Sequence, residues 1–198
     1  MLFIDETIIT ETPPLRAAWA LQGHQAEVPI TGNRAKRILY GALNPKSGDL
    51  LLGESLRWNQ EAVQRFFLAI RSHWRGWHIV LFLDKGSPHT AGASRQCAHG
   101  LCFELRWLPT ACPELNPTEP LWRYAKQTVL ANVPPRSIQE SLEAATDALS
   151  ALTPMSGWPK PGCCRVGSGY RPSSGTGICH ETYVLILSAG TTGCPPLH

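Results

Sequence analysis

Apolar residues fall into short unbroken runs and into 3.6-residue stripes over residues 1–153, and the two patterns predict different elements. Residues 1–5 (MLFID) form a brief apolar run that predicts a first strand ending on an acid. Residues 16–30 alternate loosely around Trp19, Leu21 and Val28, with Gly23 in the middle, and predict a second strand with a turn beyond it. Residues 38–43 and 49–53 flank the turn signal NPKSG and predict a hairpin. Asn59 is the expected N-cap of a helix that carries Val63, Phe66, Phe67, Ile70 and Trp74 on one face. Residues 78–83 (HIVLFL) are apolar without alternation, as in a strand covered on both faces, and residues 102–108 predict another strand. Asn116 and Pro117 open a helix with Leu121, Trp122, Ala125 and Val129 on one side. Ser137 and Glu140 have capping-box spacing ahead of the stripe Ile138, Leu142, Ala145, Leu149 and Leu152. Strands first, then strands alternating with helices, predict an α/β fold with a mixed sheet flanked by helices.

Composition changes this picture at Thr153. The whole chain has 198 residues, 43% hydrophobic and 17% charged, with 18 Lys+Arg against 15 Asp+Glu, which is the ordinary globular range and not that of a basic tail. The last 45 residues, however, hold 8 of the 17 Gly, 6 of the 17 Pro and 4 of the 7 Cys, but only four charged side chains: Lys160, Arg165, Arg171 and Glu181. Such a segment has little with which to build a core, so residues 154–198 are expected to be a poorly ordered tail in which only 183–187 (YVLIL) reads as a strand. The abrupt break suits an out-of-frame extension after a frameshift; a genuine C-terminal arm is the alternative. No apolar run reaches the roughly 20 residues of a membrane span, and the N-terminus lacks the pattern of a leader, which predicts a soluble cytoplasmic protein with no membrane partner. The odd cysteine count then argues for free thiols.

Candidate chemistry rests on three acids. Asp5 ends the first predicted strand, Asp84 ends the buried HIVLFL strand, and Glu119 lies in the first turn of a helix. Taken singly, each reads equally well as a turn or cap residue. If the two strands are neighbours, the three carboxylates converge, and at about 5 Å and an effective dielectric of about 20 each pair would repel by roughly 3 kcal/mol. A divalent cation removes that cost. An all-oxygen site favours magnesium or manganese over zinc, and two such ions clamp the attacking and leaving oxygens of a phosphodiester.

The stretches FIDET around Asp5, LFLDKGSPH around Asp84 and His89, and LPTACPELNPTEPLW around Glu119 resemble the catalytic domain of mariner-type DDE transposases, particularly those of bacterial insertion sequences. The 34 residues between Asp84 and Glu119 are typical of that group, and GNRAKRILYGALNPKSGDLLL is similar to its second and third strands. The resemblance covers roughly residues 1–150 and implies an RNase H-like catalytic domain over 1–153 with Asp5, Asp84 and Glu119 as its catalytic, metal-binding triad. It implies two Mg²⁺ or Mn²⁺ ions, cleavage and strand transfer of DNA, a homodimer on paired transposon ends and a nucleoid-associated location.

Two positions depart from the family. Lys85 stands where the family usually has Asn, and the chain starts four residues before Asp5, leaving no room for the helix-turn-helix that recognises the element's ends. A separate end-binding polypeptide or a truncated chain is therefore expected. His89 and Lys85 are candidate assisting residues, and Arg34, Lys36 and Arg37 form the densest basic cluster, a candidate DNA contact beside the hairpin. Most tryptophans are assigned to packing, although Trp58 beside Arg57 could stack on a base. Zinc is disfavoured, because Cys97, His99 and Cys102 have no second ligand pair at finger spacing. A catalytically inactive remnant that binds only DNA or a full-length partner is the alternative reading. A structure-specific nuclease such as a Holliday-junction resolvase is a weaker third.

Overall fold

The structure, a computed structural model, describes residues 1–30 and 32–152, together with the backbone of 178–179. The remainder of the predicted tail, including residues 183–187 and the proposed frame boundary, lies outside the described residues.

β1 (Leu2–Thr10) is the centre of a mixed sheet. On one side it pairs antiparallel with β2 (Lys36–Asn44), from Phe3 opposite Leu43 to Thr10 opposite Lys36. β2 pairs antiparallel with β3 (Asp49–Ser55) through the expected turn, closed by Gly48 N donating to Asn44 O at 2.8 Å. On its other side β1 runs parallel to β4 (Ile79–Leu83), and β4 runs parallel to β5 (Phe103–Trp107). The order is β5-β4-β1-β2-β3, with the two-residue β6 (Ile178–Cys179) parallel to β3 at the far edge.

Helices cover both faces, which is why the central strands read as continuous apolar runs rather than alternating ones. α1 (Gln60–His73) begins as expected at Asn59, whose Oδ1 accepts from Ala62 N at 3.0 Å. With α3 (Gly92–Gly100), it packs on the face carrying Leu2, Ile4, Tyr40, Leu81 and Leu83. α4 (Glu119–Tyr124), which continues as a π-helical turn over Ala125–Val129, and α5 (Ile138–Ala151) cover the other face at Ile9, Leu39 and Leu52. Ser137 caps α5 by accepting from Glu140 N. The helix stops at Ala151, so Leu152, expected on its buried stripe, is exposed instead.

Other expectations change for physical reasons. β1 extends five residues beyond Asp5, because β2 supplies backbone partners along its whole length. Residues 16–30 form no strand: β2 and β4 already occupy both edges of β1, and Trp19 stands fully exposed on the connecting arm. The arm is tied down at its start, where Arg16 N donates to Asn132 Oδ1 at 2.9 Å and Asn132 Nδ2 returns a bond to Arg16 O at 3.0 Å. α2 (Ser87–Thr90) and α3, too short and polar to show a stripe, supply the crossover between the parallel strands β4 and β5. Cys97 and Cys112 are free, but Cys102 is disulfide-bonded, which corrects the expectation of free thiols at that position.

Each face of the hairpin holds one aromatic ring directly over a glycine. A Cβ on Gly41 would stand 2.7 Å from Trp122 Cη2, and one on Gly53 would stand 2.9 Å from Phe66 Cδ2. Gly41→Ala is expected to lower stability by about 1–3 kcal/mol by pushing α4 off the sheet. Urea unfolding measures this, and a variant as stable as the wild type would show that Trp122 does not lie on the strand.

Candidate active site

Asp5 and Asp84 come together through strand register. The parallel ladder between β1 and β4 ends at Phe3 opposite Phe82, and Asp5 and Asp84 each lie two residues further on, at the same height where the strands part. Asp5 is therefore mid-strand toward β2, where it faces Gly41, but beyond the paired end toward β4.

The segment NPTEPLW reaches Asp5 from the face covered by α4. Trp122 Nε1 donates to Asp5 Oδ2 at 2.9 Å, and Thr118 Oγ1 lies 3.1 Å from the same oxygen. Thr118 Oγ1 is also 2.7 Å from Asn116 Oδ1, and its single proton serves one acceptor at a time. Asn116 and Thr118 are buried, and Asn116 Oδ1 accepts from Thr118 N at 3.2 Å, a turn that sets the start of α4. Glu119 opens α4 between the two residues that hold Asp5, so it stands at the same end of the sheet. Even so, no three His, Cys, Asp or Glu side chains among the described residues stand together as a metal-holding group. The fold brings the three acids to one edge without closing them into a cluster.

A second network lies on the opposite face of β1. His89, only 1% exposed, places Nδ1 2.7 Å from Asp84 Oδ1, and Gly86 N donates to that same oxygen at 3.0 Å. Its other nitrogen, Nε2, is 3.3 Å from Glu6 Oε2, within ion-pair range but off the hydrogen-bond direction. Burial disfavours the imidazolium, yet the Asp84 and Glu6 carboxylates outweigh it and raise His89 to about 9. The hydrogen bond from His89 holds the Asp84 carboxyl below its ordinary value. Tyr40, opposite Glu6 across the β1–β2 ladder, is pushed up by burial and by the Glu6 charge.

The donor set fits a hard divalent cation better than zinc, being all carboxylate oxygen. Both hydrogen bonds to Asp84 fall on Oδ1, which leaves Oδ2 for a cation. Burial, with the neighbouring Glu6 charge, raises Asp5 from 3.8 to about 6 against the opposing bonds from Trp122 and Thr118, and among the described residues no basic side chain offsets its charge. A cation would supply that compensation.

The remaining predicted residues fall elsewhere. Lys85 is exposed beside Asp84. Lys36 and Arg37 lie opposite Thr10 and Ile9, at the end of β2 remote from the hairpin turn and roughly 13 Å along the strand from the level of Asp5. Arg34 lines a groove of about 730 Å³ with Lys126, Ile8 and Pro14, also at that remote end. The cluster therefore lies at the open end of the hairpin, opposite its turn, as its place ahead of the NPKSG signal requires. Sequence reasoning missed Glu6, Thr118, Trp122 and Gly41 as parts of the site. Glu6 was visible only as a second acid next to Asp5, Thr118 and Trp122 as a polar and an apolar residue near Glu119, and Gly41 carried no signal.

The description "DDE superfamily endonuclease" matches residues 1–141. None of the curated proteins matches the chain. Among solved structures, the Mos1 transposase paired-end complex with left transposon end aligns with a TM-score of 0.58 at 18% identity, over 76% of this chain and 47% of that one. The Mos1 strand transfer complex aligns at 0.59 and 20% identity, over 77% and 47%. The mariner Mos1 paired end complex with Mg aligns at 0.58 and 18% identity, over 76% and 48%. The sheet is thus the RNase H-like α/β arrangement of those structures, and the chain spans about half the length of the chains it matches.

Asp5 generates a prediction with a definite sign. Its folded value lies above the unfolded one, so the fold binds the proton more tightly, and stability falls as pH rises from 3.8 to about 6 and stays lowered above that. A shift of that size corresponds to about 3 kcal/mol. Asp5→Asn, which keeps an acceptor for Trp122, is expected to raise the metal-free protein's stability by about 1–3 kcal/mol at pH 7.5 and to change it little at pH 4. Denaturant unfolding at the two pH values measures the difference; an Asn variant less stable at both would contradict it.

Proposed function

Because the chain belongs to the DDE superfamily endonucleases, we propose that it is the catalytic domain of a mariner-type DDE transposase, cutting DNA at transposon ends and joining it to a target. The observation that carries this reading is the level placement of Asp5 and Asp84 where two parallel strands part, with the helix opened by Glu119 hydrogen-bonded onto Asp5 through Thr118 and Trp122.

Asp5, Asp84 and Glu119 would hold two Mg²⁺ or Mn²⁺ ions, which supply Lewis-acid activation of a water and of the departing oxygen. The chain's own side chains orient these ligands. Trp122 and Thr118 fix one oxygen of Asp5, while His89 and Gly86 fix one oxygen of Asp84. Water oxygen attacks phosphorus, the P–O3′ bond breaks, and a 3′-hydroxyl and a 5′-phosphate remain. That hydroxyl then attacks a target phosphodiester, whose own P–O3′ bond breaks, so no energy source or covalent enzyme intermediate is required. Exposed Lys85 suits a contact to a phosphate at the site, and Arg34, Lys36 and Arg37 suit contacts to more distant backbone. A homodimer on paired ends and a nucleoid-associated, cytoplasmic location complete the proposal. Among the described residues no helix is long and apolar enough to cross a membrane.

One observation favours a second reading, an inactive remnant that only binds DNA or a full-length partner: exposed Lys85 puts a positive charge next to Asp84, where it competes with a metal ion. The two readings part on metal-dependent cleavage. Millimolar Mn²⁺ is expected to stabilise the wild type by about 2.7 kcal/mol at a hundredfold excess over Kd and to support nicking of end-containing DNA. Asp84→Asn, which retains an acceptor for His89, is expected to lose the metal response and to lower nicking at least ~100-fold. Nicking by Asp84→Asn at the wild-type rate would defeat the transposase assignment, and a wild type blind to manganese would favour the remnant.

A further inference from the structure

Trp58 lies in the three-residue link between β3 and the cap of α1, and it is 46% exposed. Single exposed apolar side chains are common and carry no message alone. This one has a particular position. A Cβ on Gly86 would stand 3.0 Å from Asp84 Oδ1, 3.3 Å from Trp58 Cζ2 and 3.4 Å from His89 Nδ1, so the indole edge and the carboxylate both crowd Gly86 and lie close to each other.

The backbone beneath the ring is fixed at both ends. Ser55, 3% exposed, donates through Oγ to Arg57 O at 3.0 Å and accepts from Arg57 N and from Arg65 Nη2, both at 3.3 Å. One residue beyond Trp58, Asn59 caps α1 through Ala62 N. The ring is thus presented on a rigid turn at little cost in ordering entropy.

Charge decides what such a surface can bind. Asp5, Asp84 and Glu119 make this edge repulsive to a polyanion, and a DNA strand entering it needs an attraction that does not depend on phosphate charge. Stacking of a base on an aromatic face provides that, because every base presents a π-surface. Resting on the DNA-cleaving reading above, we propose that Trp58 is a stacking platform for one unpaired nucleobase of the strand whose phosphate lies at Asp84. The exposed Arg57 beside it is placed to meet the adjoining phosphate. Gly86 lets the ring and Asp84 come this close, since a side chain there would press on both.

The test uses the full chain with Ca²⁺ in place of Mg²⁺ and fluorescein-labelled single strands that span the scissile phosphate, one series carrying an abasic site at each successive position. By fluorescence anisotropy, Trp58→Ala is expected to weaken binding roughly 5- to 100-fold, and Trp58→Phe only a few-fold. With the abasic site at one position, wild type and Trp58→Ala are expected to bind alike, an effect that a structural role for the ring would not produce. Thermal unfolding of both variants checks that the fold is intact. Equal binding by Trp58→Ala and wild type on intact strands overturns the stacking site, while Mn²⁺-dependent nicking by that same wild type leaves the transposase reading standing. A loss that is the same on intact and abasic strands at every position also overturns it. No binding by the wild type to any strand overturns it too, and absence of nicking besides would take the functional reading with it.

Discussion

The hydrogen bond from Trp122 to Asp5 joins sheet to helix, and the site depends on it. An indole of about 200 Å² buried at about 25 cal/mol per Å² contributes on the order of 5 kcal/mol. Leaving Asp5 ionised in the same place costs about 3 kcal/mol, so the ring more than offsets the acid it covers. The ring reaches Asp5 only because the neighbouring strand offers Gly41, with no Cβ in the way. A glycine on one strand, an acid on the next and a tryptophan on a helix form one unit, and that unit sets where Glu119 stands.

Asp84 is held by different means. It lies past the end of its strand with its side chain 53% exposed, where the sheet no longer constrains it. Buried His89 restores the constraint, with Asp84 on one nitrogen and Glu6 near the other. Glu6 and Asp5 are adjacent in sequence and point to opposite faces of β1, so one dipeptide serves both halves of the site. The cation on His89 lowers the repulsion between Asp84 and Glu6, which lets both carboxylates share one buried ring.

An edge assembled this way is costly to the apoprotein and useful to a cation-dependent reaction. Among the described residues Asp5 is held only by neutral donors, and the one cation on Asp84, His89, takes a single oxygen of it. Exposed groups near the edge, Lys85 and Trp58, offer a charge and a flat surface toward incoming strand.

The hairpin, α1 with its Asn59 cap, the buried β4 and the capped α5 were all legible from periodicity, because each of these elements answers to a local pattern of burial or to a capping side chain only a few residues away. The three acids were legible as candidates from their places at strand and helix ends. Residues 16–30 misled, because loose alternation describes a strand only when an edge is free to pair with it, and β1 has none. Likewise the length of β1 and the parts played by Glu6, Gly41 and Trp58 depend on partners 26 to 83 residues away in the chain. Sequence alone determined most of the segments that become helix or strand and which acids were candidates. Only the tertiary structure decided which of them meet, since register and the close approach of a ring to a glycine are properties of paired segments and leave no trace in either segment by itself.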